Sequence, residues 1–156
     1  MYDLLAVLDA AETLLASLTG VQRAQVGIPM ALSQQLEAAV ILGPITNRNK
    51  AGNSLLQREI SLYCALAYAV GGEEGDAEMA LAAAVDDLTI RFYVTRGKPG
   101  VPGIGLFNEA ATGVTTGELD LEVSAGPNYP MIAGEEIRQF PFVLRVTQQA
   151  NITDFD

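Results

Sequence analysis

Along the first twenty residues, Leu4, Leu5, Leu8, Ala11, Leu14, Leu15 and Leu18 recur at steps of three and four, with Asp9, Glu12 and Thr13 between them. This spacing predicts an amphipathic helix over residues 3–18, closed by Gly20. Residues 21–32 are mixed in pattern, and Pro29 excludes a continuing helix there. The segment QLEAAVILGPI, with β-branched Val40 and Ile41, predicts a strand stopped by Gly43-Pro44. A polar cluster, NRNKAGNS, follows. Beyond it Ile60, Leu62, Cys64, Leu66, Tyr68 and Val70 alternate with Glu59, Ser61, Tyr63, Ala65 and Ala67, which predicts a long strand over residues 55–70. Two strands around a turn-rich loop make an antiparallel hairpin the simplest connection.

After Gly71-Gly72 the period changes again. Ala77, Leu81, Ala84, Val85, Leu88 and Phe92 form the stripe of a second helix, with Asp76 as its N-cap and Glu78, Asp86, Asp87 and Arg91 outside the stripe. A short alternating strand surrounds Leu119, Leu121 and Val123. A last strand runs through EEIRQFPFVLRVTQQ, where Pro141 cannot donate to a ladder and so marks an edge or a bulge. The polar tip, residues 150–156, reads as mobile. Helix, strand, strand, helix, long loop, strand, strand contains no βαβ periodicity and no internal repeat. The expected fold is a single α+β domain over residues 1–156: a mainly antiparallel mixed sheet, two helices packed on one face, and a long Gly/Pro-rich loop at residues 95–117.

Composition narrows the chemistry. A length of 156 residues with 49% hydrophobic positions is enough to bury a core unaided. The first residues carry acids and no basic cluster, so neither a signal nor a transit peptide is expected, and no apolar run would span a bilayer. Histidine is absent, which removes imidazole-based catalysis and metal ligation. The one cysteine, Cys64, sits in the apolar strand pattern and reads as a buried structural thiol. No cofactor and no metal are expected, and enzymatic activity is not. Nine basic against nineteen acidic residues give a formal charge of −10. That charge disfavours general binding to duplex DNA and suits a wall past which a polyanion slides.

Three features could still carry a site. The stretch RGKPGVPGIGLFNEAATG is rich in glycine, yet it follows a helix, Lys98 precedes Pro99, and there is no Gly-Lys-Ser/Thr ending, so a phosphate cradle is disfavoured. It reads instead as a long loop whose apolar Val101, Ile104, Leu106 and Phe107 either meet a partner or fold back over the core. The acid pairs Glu73/Glu74, Asp86/Asp87 and Glu135/Glu136 point in divergent directions along helix or strand, as solvated faces do. Arg48 and Lys50 make the one notable basic spot, in the hairpin loop. Arg48, Lys50, Val101, Ile104, Leu106, Phe107 and the edge at Pro141 are the candidate assembly residues.

The leading helix, REISLYCALAYAV, DAEMALAAAVDDLTIRFY, and EEIRQFPFVLRVTQQ preceded by NYPMIAG resemble in layout and phrase the tail terminator and head-tail joining proteins of long-tailed bacteriophages, the group of the phage lambda minor tail protein U. The resemblance spans residues 1–149. It implies a virion protein, made in the host cytoplasm and located at the neck of the tail. Such a subunit forms a ring, usually hexameric, on the head-proximal end of the tail tube. The ring ends tube polymerisation and meets the head-tail connector protein, while DNA passes through without specific binding. A head-completion or neck protein at the same junction is the near neighbour of this reading. A non-viral binding module, with Tyr63, Tyr68 and the Gly-Pro loop forming a pocket, is the alternative from another class. Deleting residues 99–108 is expected to leave the melting transition unchanged and to lower the yield of assembled particles in size-exclusion chromatography; an unchanged yield would refute the partner role of that loop.

Overall fold

The computed structural model describes residues 3–28, 32–49, 55–71, 74–93, 114–121, 131–132 and 134–151. The elements in chain order are α1 (Leu4–Ala16), β1 (Arg23–Val26), β2 (Glu37–Asn49), β3 (Leu55–Ala69), α2 (Glu74–Tyr93), β4 (Val114–Asp120), β5 (Met131–Ile132) and β6 (Glu135–Asn151). The strand order is β1-β2-β3-β6-β4, with β5 paired to the start of β6. All neighbours are antiparallel except β1 and β2. The sheet is thus mixed and mainly antiparallel, and the fold class is α+β.

The period-two pattern of β3 organises the two faces. Ile60, Leu62, Cys64, Leu66 and Tyr68 are all buried and stand in register with Val146, Leu144, Phe142, Phe140 and Arg138 of β6. Against this row pack Val7, Ala11, Leu14 and Leu15 of α1 and Ala77, Leu81, Ala84, Leu88 and Phe92 of α2, so both helices cover the same face. The Cys64 thiol is enclosed there, donates to the Leu62 carbonyl (3.6 Å), and is pushed up in pKa by burial.

Local chemistry fixes the helix ends. Asp3 caps α1 by accepting from the Ala6 N–H at 3.0 Å, and the chain leaves the helix through Gly20 at φ 83, where a side chain would be strained. Asp76 is not the N-cap of α2, because the helix already begins at Glu74; Asp76 falls in its first turn, where acids complement the dipole. Arg91, expected outside the buried stripe, is buried at 9% exposure. It donates to Asp87 at 3.0 and 2.9 Å, to the Ser17 carbonyl at 2.9 Å and to the Ser17 hydroxyl. Asp87 in turn accepts from the Thr19 N–H and hydroxyl at 2.9 and 3.1 Å. One ion pair on α2 therefore satisfies the C-terminal end of α1 and fastens the two helices together.

Two expected strand ends are corrected. Gly43-Pro44 does not stop β2, which continues to Asn49 through a register shift between Leu42 and Ile45. The proline is tolerated because β1 pairs only with residues 37–40, so no described strand lies outside β2 at that point. Arg48 consequently lies in a strand, opposite Gln57, and not in the hairpin loop. β6 is an inner strand between β3 and β4 with an unbroken register to β3, so Pro141 marks neither an edge strand nor a bulge on that side. Its outer flank is nevertheless open among the described residues, since the pairing with β4 ends at Asp120 opposite Val143. β6 also includes residues 150–151 of the tip read as mobile, and β4 takes residues 114–117 from the expected long loop. β1 went unpredicted: its four residues are exposed or half-buried and carry no alternation.

The Asp87 carboxyl lies below the ordinary aspartate range: burial pushes it up, but the Thr19 N–H, the Arg91 guanidinium and the Thr19 hydroxyl together outweigh that. A depressed folded pKa contributes stability that is complete above the unfolded value of about 3.9 and is lost as pH falls through the folded value. Asp87→Asn is expected to cost about 1–3 kcal/mol in urea unfolding at pH 7. The gap to the parent protein should narrow as the pH falls below about 3.9.

Candidate functional site

Opposite the helices the sheet carries a different row. Ile41, Tyr63 and Val143 stand in register across β2, β3 and β6; next come Ala39, Ala65 and Pro141, then Glu37, Ala67 and Gln139, then Ala69 and Ile137. A solvated sheet face would be polar at these positions. Here the central strands present alanines flanked by larger apolar side chains. The alanines form the floor of an apolar trough of about 520 Å³, walled by Ile41, Tyr63 and Val143 at one end and by Leu32 and Ile137 at the other, with Gly27 and Ile28 on the β1 side. Tyr63 is 45% exposed and Ile28 is 74% exposed, whereas Ile137 is buried.

The wall at Tyr63 depends on the bulge in β2. A Cβ placed on Gly43 would stand 2.8 Å from the Ser61 carbonyl oxygen and 3.2 Å from Cζ of Tyr63. Only glycine lets the bulged backbone approach this closely, and the Tyr63 ring lies against it.

Glu37 is the charged residue of the trough. Its oxygens are both engaged: one accepts from Arg23 Nε at 2.7 Å, the other from the Ser33 N–H at 2.8 Å. Gln139 and Tyr63 differ. Among the described residues neither the Gln139 side-chain amide nor the Tyr63 hydroxyl has a hydrogen-bond partner, the contact to Gln139 being made at its backbone carbonyl by Arg138. The trough is therefore apolar, electrically balanced, and equipped with two uncommitted polar groups.

The sequence-based candidates separate in space. Pro141 and Tyr63 line the trough. Tyr68 does not, because it points to the helix face and donates to Glu78 at 2.7 Å, where Arg138 also pairs at 2.8 Å. Arg48 is exposed near the far end of β2. Among the described residues no acid lies within pairing distance of it, whereas Arg23, Arg91, Arg138 and Arg145 each hold one. Lys50, Val101, Ile104, Leu106 and Phe107 lie outside the described residues. The alanine floor was not anticipated; its signal was the small side chains at alternate positions of β3, which reads as a site only once the register places Ala39 and Pro141 beside them.

Among the described residues no group of three or more acids and cysteine could hold a metal ion. No described helix is long and apolar enough to cross a membrane. No family model matches the chain, and no curated protein matches it.

Gly43→Ala is expected to lower stability by about 1–3 kcal/mol in denaturant titration and to alter the environment of Tyr63, read as a change in tyrosine fluorescence. Unchanged unfolding would show that the bulge does not need glycine.

Proposed function

We propose that the chain is a structural subunit that joins copies of itself into a ring at the head-proximal end of a bacteriophage tail tube, ending tube growth and meeting the head-tail connector protein. The order of elements that motivates the resemblance supports this reading, and one geometric observation carries it. The sheet has a strand edge in β2 that is open among the described residues.

On one side, β2 has no described outer partner over residues 41–49, since β1 stops at the pair Val26/Val40. Its regular stretch, residues 45–49, is opposite residues 60–56 of β3, which are opposite residues 146–150 of β6. On the other side of the sheet, β4 pairs with residues 143–148 of β6. The open β2 edge can take a strand of a neighbouring copy. When that strand comes from a different surface of the neighbour the contact is heterologous, and it closes into a ring when the rotation allows. Arg48 sits at that β2 edge and adds a cation to a chain of formal charge −10. The acidic balance suits a conduit for DNA that does not bind it.

The test combines light scattering, electron microscopy and hydrogen exchange on the protein alone and mixed with tail tubes. The expected result is a ring-sized cap on the tube end, with amides of residues 45–49 exchanging at least ~10-fold more slowly in the assembly. A particle that stays monomeric in both conditions would overturn the proposal.

A further inference from the structure

The open β2 edge at residues 45–49 is level with residues 146–150 of β6, while the trough occupies the rows from Ile137 to Val143 on the face away from the helices. The trough therefore calls for its own occupant. We infer that it is a binding site for an uncharged, largely apolar small molecule that carries one hydrogen-bonding group.

Size is the first reason. A volume of about 520 Å³ falls within the roughly 300–1,000 Å³ of small-molecule sites. The depression exists because two neighbouring strands place their smallest side chains, Ala39 of β2 and Ala65 and Ala67 of β3, between larger ones. A flat neighbouring protein surface could not fill it.

Charge is the second. The Glu37 carboxylate is neutralised by Arg23 and each of its oxygens already accepts a hydrogen bond, and the lining offers no unpaired cation. An anionic head group would lose its hydration there without a counter-charge, and a cationic one would compete with Arg23 for Glu37. Electrostatic complementarity is with a neutral ligand.

Hydrogen bonding is the third. The Tyr63 hydroxyl at one wall and the Gln139 amide at another have no partner among the described residues, and between them supply donors and acceptors. Each can fix the polar end of a ligand whose remainder lies on the alanines.

The experiment uses the full chain, the neutral dye Nile red as reporter, and 1-decanol and decanoate as competitors of equal chain length. Dye fluorescence should rise on binding, 1-decanol should displace it and raise the melting temperature, and decanoate should compete at least ~10-fold more weakly. Ala65→Phe, which fills the floor, should abolish dye binding. Should that variant not fold, Tyr63→Phe serves: loss of one hydrogen bond is expected to weaken 1-decanol about 2–10-fold while leaving Nile red bound. No displacement by 1-decanol, equal competition by decanoate, or full dye binding by Ala65→Phe would each overturn the inference. So would light scattering that shows the dye leaving only as copies associate, which would make a second copy the occupant. Because the readouts are ligand displacement and melting, they stand or fall separately from ring formation.

Discussion

The alternation along β3 is the constraint on which the rest of the structure depends. Its fifteen residues pair with β2 on one side and with β6 on the other. A strand with period two cannot slip by one residue without turning its whole apolar set to the wrong face. Large side chains from Ile60 to Tyr68 hold both helices, and small ones at Ala65 and Ala67 leave the opposite face hollow. The core and the trough are two consequences of one register.

Polar contacts then secure what the alternation lays out. Arg91 and Asp87 tie α2 to the end of α1, and Glu78 gathers Tyr68 and Arg138 where α2 approaches the sheet. Glu37, at 6% exposure, is matched by Arg23 and a backbone N–H on the other face. Arg58 donates to the fully buried Gln148 at 3.0 and 2.6 Å. These buried polar groups are satisfied among the described residues, as a folded interior requires. Arg48 stands apart from them, at a strand edge.

Much of this was legible in the sequence, for a physical reason. Helical spacing of leucines in α1 and alternation in β3 and β6 are signals repeated over many residues, and single exceptions do not blur them. Features set by one tertiary contact were hidden. Gly43-Pro44 has the local chemistry of a stop, but the partner strand β3 carries the pairing through it, and the proline is harmless because no described strand lies outside β2 there. Arg91 reads as a solvent-facing charge until Ser17 is found beside it. Four-residue β1 has no period to detect; its Val26 N–H is held by Glu12 of α1 at 3.0 Å, a contact no local pattern announces. The site was less legible still. Tyr63 and Pro141 were singled out, for different reasons, yet the alanine floor joins residues more than seventy positions apart.

The β2 edge, open among the described residues beyond Val40, is the feature from which the assembly reading follows. Electron cryomicroscopy of the protein bound to a tail tube tests it most directly. The expected map shows a strand of each copy paired with residues 45–49 of the next. A ring whose copies meet through other surfaces, with residues 45–49 facing solvent, would contradict the reading.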